Sequence, residues 1–251
     1  MNCVRNMCER EPGKEPPKQY DYLIFDADHT LIDFDADERR AFRAAFAAAG
    51  MQASDAMVEA CWAFSARNWG ELGLNNVHLP QLRARYHELY HTHVREIVDY
   101  MDTMYALGAG RAAAERAFSQ ALALAAHPVE GALQALETLA KRYRLCIATN
   151  GLAAMQAGRL RELAPLFERV FVSEEMGVIK PDPAFFAHML KALNTTAERC
   201  LMIGDSLASD IAGACAAGLD SIWFNRRGAP LPAGIRVKAV IRDLRELLSI
   251  L

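Results

Sequence analysis

The stretch Tyr22–Leu23–Ile24–Phe25–Asp26–Ala27–Asp28–His29–Thr30 decides the fold. A short apolar run that stops at polar residues is typical of a buried strand. Similar runs follow at Leu145–Thr149, Val170–Val172, Cys200–Gly204 and Ser221–Phe224, with a further short strand predicted at Val237–Ile241. Helical segments are predicted between and after them, at Ala153–Leu163, Pro183–Leu193, Ser209–Ala217 and Asp243–Ile250. This alternation predicts an α/β fold, with a Rossmann-like parallel sheet covered by helices.

The region between the first two predicted strands has a different pattern. From about Asp37 to Ala126 it is rich in alanine and has helical spacing. Asp37 is the expected N-cap of its first helix, and Gly50 is expected to end that helix. Later helices are predicted at Ala56–Trp69, Pro80–Tyr100 and Arg111–Ala126. A gap of about 115 residues is too long for one crossover between parallel strands, so an all-helical domain is inserted into the sheet.

This pattern divides the chain into three parts. Residues 1–19 are polar and contain prolines, which predicts a disordered leader. Residues 20–34 and 128–251 form the predicted α/β core, and residues 35–127 form the helical cap. The leader lacks the apolar segment of a signal peptide, so the cytoplasm is the expected compartment.

Composition excludes several classes of partner. The 251 residues contain 28 Lys plus Arg and 31 Asp plus Glu, a net charge of −3, so a nucleic-acid polymer is not an expected partner. No apolar run approaches the roughly 18 residues that a membrane span requires. The 6 cysteines contain no CxxC pair, and we expect reduced thiols. The oligomeric state stays open.

Chemistry-bearing side chains follow the predicted strands, and such residues meet at one edge of a parallel sheet. They are Asp26 and Asp28 after the first strand, Thr149 and Asn150 after the second, Lys180 beyond the third, and Asp205 and Asp210 after the fourth. Crowded carboxylates repel one another, and Mg²⁺, which prefers oxygen ligands, would relieve that repulsion. A lysine and a threonine hydroxyl suit a phosphate. A carboxylate in line with phosphorus can attack it, and a second carboxyl can transfer protons.

The spacing of these residues resembles the haloacid dehalogenase (HAD) superfamily of phosphatases. Its four motifs, DxDxT, a strand-ending Thr or Ser, Lys-Pro and GDxxxxD, occur here in order. They are Asp26/Asp28/Thr30, Thr149, Lys180–Pro181 and Gly204–Asp205 with Asp210. One such motif is weak, but four that each follow a predicted strand are specific. The helical insertion after the first motif resembles the cap of one branch of the superfamily.

The resemblance implies a role for each matched residue. Asp26 is the expected nucleophile, and Asp28 is the expected general acid and then general base. Mg²⁺ would be held by Asp26 and Asp205, with the backbone carbonyl of Asp28 as a further ligand. The transferring phosphoryl group would be bound by Thr149, Asn150 and Lys180. Asp210 and Thr30 are expected to support these groups without touching the metal.

The residues around the four motifs indicate the class of substrate. The segments FDADHTLIDFD, SEEMGVIKPDP and GDSLASDIAGACAAGL, the last followed by WFN, resemble the HAD-type pyrimidine 5′-nucleotidases. That implies a small-molecule phosphate ester, a nucleoside monophosphate, as substrate. A phosphoglycolate or sugar-phosphate phosphatase would share every catalytic residue. Asp28 disfavours a haloacid dehalogenase, which has no acid there, and the intact motifs disfavour a non-enzymatic binding module.

Three groups of residues in the sequence have more than one possible role. His29 stands where the nucleotidases more often have Asp or Asn, and strand alternation predicts that its side chain points away from the metal. A zinc site or an ordinary helix face could explain His87, His91 and His93, and the absence of neighbouring ligands favours the helix face. Cap packing is the favoured role for Trp62, Phe64, Trp69 and Tyr86, with base stacking an alternative for one of them or for Phe34.

Overall fold

A computed structural model describes residues 20–124 and 126–251, and within them the chain forms a sheet of six parallel strands. The strands are β1 Tyr22–Phe25, β2 Arg144–Thr149, β3 Arg169–Val172, β4 Cys200–Gly204, β5 Asp220–Phe224 and β6 Ala239–Ile241. The predicted Rossmann-like parallel sheet is therefore confirmed. The predicted leader, with Cys3 and Cys8, lies outside the described residues.

The order of the strands is β3-β2-β1-β4-β5-β6, so β1 lies inside the sheet. Phe25, its last residue, pairs with Ile147 of β2 on one side and with Ile203 of β4 on the other. The strands after β1 extend to one side as far as β3 and then to the other side. In such sheets the crevice outside the carboxyl ends of the strands binds ligands where this reversal occurs. Asp26 follows β1 at that point.

Helices form the segment between β1 and β2, and the described residues there contain no strand. They are α1 Phe34–Ala48, α2 Asp55–Glu71, α3 Pro80–Arg83, α4 Tyr86–Tyr105 and α5 Arg111–Leu124. We call α1–α5 the helical cap. The core adds α6 Ala132–Leu139, α7 Ala153–Arg159, α8 Ser173–Met176, α9 Pro183–Leu193, α10 Ala212–Ala216 and α11 Leu247–Ile250. In the described part of the chain, no helix is both long and apolar enough to cross a membrane.

Apolar side chains cover both faces of the sheet. Successive residues of a strand point to opposite faces. Phe25 therefore packs in the cluster that contains Leu136 of α6, whereas Ile24 packs in the cluster that contains Phe185 of α9. These residues are fully buried, and the sheet holds the loops at its carboxyl edge on a rigid base.

The cap has its own apolar cluster, and that cluster also contains core residues. Phe42 of α1 and Phe118 of α5 are fully buried in it, and Met155 of α7 joins them. The backbones of α5 and α7 approach closely at Gly158, where a Cβ atom would lie 1.8 Å from the carbonyl oxygen of Ala123. Only glycine fits this contact, which seats the cap beside the loops that follow β1 and β2.

The start of α1 differs from the prediction. Asp37 is not the N-cap, because α1 begins at Phe34 and the side chain of Asp33 accepts a hydrogen bond from the backbone N–H of Ala36. Asp37 is instead fully buried and accepts hydrogen bonds from Arg40 and His127. Two aspartates four residues apart fit the capping pattern equally well, and spacing alone does not distinguish them.

Two predicted helices are also divided. The segment predicted as Pro80–Tyr100 forms α3 and α4, which are separated by a turn at residues 84–85. The segment predicted as Ser209–Ala217 begins as a π-helical turn at Leu207–Ile211 and continues as α10. Neither break has a proline or glycine at its centre, and the apolar spacing continues through both.

Candidate active site

The ammonium group of Lys180 lies at the centre of the candidate site. Its Nζ donates hydrogen bonds to Oδ1 of Asp26 at 2.7 Å, to Oδ1 of Asp210 at 2.7 Å and to the carbonyl oxygen of Ala148. The side chain is almost completely buried. Burial lowers the pKa of Lys180, but the carboxylates of Asp210 and Asp26 more than offset this, and the pKa lies above its ordinary value. Lys180 is therefore a fixed positive charge beside Asp26.

Three carboxyl groups surround this position. Oxygen atoms of Asp26, Asp205 and Asp210 lie within 4.8 Å of one another. Burial raises the pKa of Asp26 to about 7, with Lys180 opposing the rise and Asp210 adding to it. Burial, and then the charges of Asp26 and Asp210, place the pKa of Asp205 well above its ordinary value. One ammonium does not balance three carboxylates, and this all-oxygen donor set fits a hard divalent cation such as Mg²⁺.

Asp210 enters this cluster because of the π-helical turn that carries it. Its Oδ2 accepts a hydrogen bond from the backbone N–H of Ser206 at 3.0 Å. A Cβ atom on Gly204 would lie only 2.3 Å from that same oxygen, so the end of β4 must be glycine. The carboxylate of Asp210 therefore lies in the same group as those of Asp26 and Asp205, and its predicted role as a support that does not touch the metal stays a prediction.

Two hydrogen bonds hold the neighbouring loop of Asp205. Thr30 is fully buried, and its hydroxyl accepts a hydrogen bond from the backbone N–H of Asp205 at 3.1 Å. The indole N–H of Trp223 donates to the carbonyl oxygen of Asp205 at 2.8 Å. Thr30 thus joins the loop after β1 to the loop after β4, a geometry that suits its predicted supporting role.

The carboxyl group of Asp28 lies outside the cluster of the other three. Its Oδ2 accepts a hydrogen bond from Nε2 of Gln156 at 2.8 Å, and Nη2 of Arg159 lies 2.7 Å from its Oδ1. Both partners belong to α7 and are buried. Sequence reasoning missed them, although a polar pair three residues apart on a helix that packs against a sheet is a usable signal. The participation of Asp28 in metal binding stays a prediction.

The loop after β2 is fixed by its own side chains. Thr149 Oγ1 accepts a hydrogen bond from Gln156 at 3.0 Å. The amide of Asn150 donates to the carbonyl oxygen of Lys180 and accepts from its backbone N–H, both at 2.8 Å. Both ends of the Asn150 side chain are therefore engaged, which positions Lys180. That Asn150, Thr149 and Lys180 bind phosphate stays a prediction.

A cavity of about 410 Å³ opens above these groups, within the usual range for small-molecule sites. Asp26, Asp28, Thr149, Asn150 and Asp205 line its core side. Its cap side includes Phe34, Trp62, Trp69 and Tyr86. Phe64, by contrast, stacks on Tyr100 with ring centroids 4.2 Å apart and does not line the cavity.

The histidines do not converge on a metal. Nε2 of His87 lies 2.9 Å from Ser173 Oγ, and His93 is buried against Asn68. Among the described residues, the side chains grouped closely enough to hold an ion are the three aspartates.

His29 lies beyond the end of β1 and has a positive φ of 63°, so strand alternation does not set its direction. It lines the same cavity as Asp26.

Comparison with known proteins identifies the family. Residues 20–218 match the family model of haloacid dehalogenase-like hydrolases. The chain belongs to this family. The predicted HAD resemblance is therefore confirmed, and the protein is a hydrolase.

Relatives of this haloacid dehalogenase-like hydrolase include two named nucleotidases. It is 35% identical over 211 residues to pyrimidine 5′-nucleotidase PynA of Streptococcus pneumoniae, covering 82% of this chain and 84% of that protein. It is 36% identical over 138 residues to pyrimidine 5′-nucleotidase YjjG of Escherichia coli, covering 54% and 61%. The predicted similarity to this group is borne out.

A solved structure shares the whole architecture. The hydrolase superposes on HAD-hydrolase YfnB of Bacillus subtilis with a TM-score of 0.74 and 28% identity, over 93% of this chain and 99% of that one. That YfnB structure is bound to magnesium and reveals interdomain movement. The likeness extends over both the sheet and the helical insertion.

Proposed function

We propose that this hydrolase is a magnesium-dependent phosphomonoesterase that forms an aspartyl-phosphate on Asp26 and acts on pyrimidine nucleoside 5′-monophosphates. The observation that carries the proposal is the pair formed by Asp26, which lines the cavity, and the buried ammonium of Lys180, which lies 2.7 Å from its Oδ1. A carboxylate beside a fixed cation can bring a phosphoryl group and its nucleophile together.

The chemistry proceeds in two displacements. An oxygen of Asp26 attacks phosphorus, the bond from phosphorus to the nucleoside 5′-oxygen breaks, and that oxygen takes a proton from Asp28. Asp28 then accepts a proton from water, whose oxygen attacks phosphorus and releases Asp26 with inorganic phosphate. Lys180 and the hydroxyl of Thr149 stabilise negative charge on the phosphoryl oxygens.

The three clustered carboxylates define the proposed metal ligands. Asp26, Asp205 and Asp210 would hold Mg²⁺, which when bound supplies positive charge to the phosphoryl oxygens. Burial, with the charge of Asp210 adding to it, raises the pKa values of Asp26 and Asp205, and a bound cation would favour their ionised forms. The ammonium of Lys180 holds Asp26 in place in either case.

The nucleotide assignment has two supports. The relatives PynA and YjjG are pyrimidine 5′-nucleotidases, and PynA matches most of this chain. The cap side of the cavity also presents Trp62 and Trp69, whose flat rings suit a nucleobase. A phosphoglycolate or sugar phosphate would leave those rings without a matching surface.

A substrate screen tests the proposal. Initial rates are measured with uridine, thymidine and cytidine 5′-monophosphates, adenosine 5′-monophosphate, ribose 5-phosphate and phosphoglycolate, with Mg²⁺ and with a chelator. We expect hydrolysis that requires Mg²⁺ and a kcat/KM that is highest for the pyrimidine nucleotides. Equal rates for ribose 5-phosphate would remove the nucleotidase assignment, and chloride release from a haloacid without Mg²⁺ would replace it with a dehalogenase.

The covalent step needs its own measurement. Asp26→Asn removes the attacking carboxylate while keeping the shape of the side chain, and we expect turnover to fall to background. Mass spectrometry of the wild-type enzyme quenched in acid should show a phosphoryl adduct on the peptide that contains Asp26. Full turnover by Asp26→Asn would refute the aspartyl-phosphate.

A further inference from the structure

Polar side chains that the proposed chemistry does not use are buried in the cap side of the cavity. Glu38 of α1, Ser65 of α2 and His93 of α4 line it together with Asp26. Each of the three cap residues is at most 5% exposed. Burial of polar groups is costly unless they are hydrogen-bonded. The positions of the protons on these side chains therefore follow from their hydrogen-bond partners.

Asn68 and Glu96, which lie on the side of His93 away from Ser65, determine which imidazole nitrogen carries the proton. The amide nitrogen of Asn68 donates to the carboxylate of Glu96, which can only accept, so Asn68 Oδ1 faces Nδ1 of His93 at 2.6 Å. Nδ1 must then carry the proton. Burial lowers the pKa of His93 to about 4, so the ring is neutral near pH 7 and Nε2 is an acceptor.

The contacts of Ser65 with His93 and Glu38 then determine the protonation state of Glu38. The hydroxyl oxygen of Ser65 lies 3.3 Å from Nε2 of His93 and 2.6 Å from Oε1 of Glu38. A serine hydroxyl has one proton to donate. Nε2 of His93 has no proton, so the Ser65 hydroxyl must donate to it if that contact is a hydrogen bond. The contact between Ser65 and Glu38 is then a hydrogen bond only when a protonated Glu38 donates to Ser65. Burial raises the pKa of Glu38 to about 7 although the hydroxyl of Ser65 opposes the rise, so the protonated carboxyl is present in part near pH 7 and predominates below it.

A neutral carboxyl at this place offers an acceptor to the cavity wall. With Oε1–H directed at Ser65, Oε2 of Glu38 is a carbonyl oxygen, and it has no hydrogen-bond partner among residues 20–124 and 126–251. Trp62 and Trp69 line the same cavity. An aromatic surface beside a buried acceptor suits a flat ring that carries an N–H group on its edge.

We propose that Glu38, held as a neutral acid by Ser65 and His93, accepts a hydrogen bond from the ring N–H of the pyrimidine base. Uridine and thymidine nucleotides carry this group at N3. The inference rests on the proposed function, because a nucleoside monophosphate must be the substrate. It makes Glu38 a specificity-determining residue and leaves the chemical step to Asp26 and Asp28.

The test compares two substrates that differ only in this group. In N3-methyluridine 5′-monophosphate a methyl group replaces the proton at N3. For the wild-type enzyme we expect kcat/KM for uridine 5′-monophosphate to exceed that for the methylated nucleotide by about tenfold or more, mainly through KM. Ribose 5-phosphate serves as the reference substrate that lacks a base.

Variants identify the acceptor. Glu38→Ala should reduce the discrimination to about twofold. Glu38→Gln should restore most of it, because its amide nitrogen donates to Ser65 while its carbonyl oxygen accepts from the base, as the neutral acid does. Glu137→Gln, an exposed residue of α6, is the matched control and should behave as the wild type.

The outcomes separate this inference from the function on which it rests. If the wild type hydrolyses ribose 5-phosphate as well as uridine 5′-monophosphate, the proposed function fails and the inference fails with it. If the wild type prefers uridine 5′-monophosphate but accepts the methylated nucleotide equally, the function stands and the role of Glu38 is refuted. Discrimination retained by Glu38→Ala, or lost equally in Glu38→Gln, also refutes it. The comparison of substrates on wild-type enzyme requires no variant to fold.

Discussion

Arg159 places Nη2 of its guanidinium 2.7 Å from Oδ1 of Asp28, although the arginine side chain is completely buried. The same nitrogen lies 3.6 Å from Oδ2 of Asp37, which is also fully buried, and the guanidinium lies over the ring of Phe34. Asp37 accepts a hydrogen bond from the backbone N–H of His127. One buried cation therefore connects the proposed acid–base group with the places where the chain enters and leaves the cap.

Loss of this cation should destabilise the protein. Arg159→Met keeps the length of the side chain but leaves the buried carboxylate of Asp37 with less compensating charge. Breaking a buried ion pair by removing one partner costs about 3 kcal/mol or more. We expect urea unfolding to show a decrease of that order in the free energy of unfolding, with a smaller decrease for Arg159→Lys.

The neighbouring Arg161 provides the control for this measurement. It is exposed, and Arg161→Met should leave the midpoint of unfolding unchanged. If Arg159→Met unfolds at the wild-type urea concentration, the ion pairs with Asp28 and Asp37 do not contribute to stability.

Lys180 is the second charge whose removal should have a large effect. In Lys180→Met the carboxylates of Asp26 and Asp210, which lie beside Asp205, lose the only ammonium or guanidinium that contacts them within the described residues. Because that ammonium is proposed to stabilise the phosphoryl group, we expect kcat to fall by about a hundredfold or more. Steady-state kinetics with saturating Mg²⁺ measures this. Lys191→Met on the exposed side of α9 should keep the wild-type kcat, and a loss below tenfold for Lys180→Met would contradict the role.

Gly204 limits the space around Asp210, so a single methyl group should disturb the site. The Cβ of Gly204→Ala would lie 2.3 Å from Oδ2 of Asp210. The carboxylate must then move, which disturbs the hydrogen bond of Oδ2 with the backbone N–H of Ser206 and that of Oδ1 with Lys180. We expect both kcat and the melting temperature to fall. Gly70→Ala is the matched control, since the nearest atom lies at 3.7 Å and alanine favours a helix. Wild-type kinetics for Gly204→Ala would show that Asp210 tolerates displacement.

The sequence predicts the catalytic edge better than it predicts the cap. Asp26, Thr149 and Asp205 each follow an apolar run, and parallel pairing brings the ends of such runs together. That rule needs no knowledge of side-chain contacts. The rule therefore predicts the parallel sheet and the proximity of these three side chains at one edge of it. It also predicts that Lys180 lies at this edge, where its ammonium contacts Asp26.

The residues that sequence reasoning missed are those whose role depends on tertiary contacts. Glu38 and His93 look like ordinary polar residues of amphipathic helices, and only the packing of α1, α2 and α4 turns them into the cavity. Gln156 and Arg159 follow a correctly predicted strand, but their contact with Asp28 depends on the rotation of α7. Asp210 itself was predicted from its motif, but the π-helical turn that carries it was not, because no local pattern indicates such a turn.

The stability of the protein should depend on pH through Glu38. Its pKa is raised by burial from an ordinary value of 4.5 to about 7, against the opposing influence of the hydroxyl of Ser65. The negative charge of Asp35 adds to the rise, whereas Arg39 and Arg159 oppose it. Between these two pH values the folded protein keeps a proton that the unfolded chain releases. The free energy of unfolding must therefore fall as pH rises through this window.

Glu38→Gln removes this titration and keeps the shape of the side chain. The difference in free energy of unfolding, variant minus wild type, should therefore increase by about 3 kcal/mol from about pH 4.5 to about pH 8. His93 titrates in both proteins: its pKa is lowered to about 4, so its contribution falls as pH decreases below its ordinary value of 6.5, and it cancels in the difference. Urea unfolding at several pH values measures the slope. A difference that stays constant with pH, as expected for the control Glu137→Gln, would mean that Glu38 is ionised in the folded protein throughout this range.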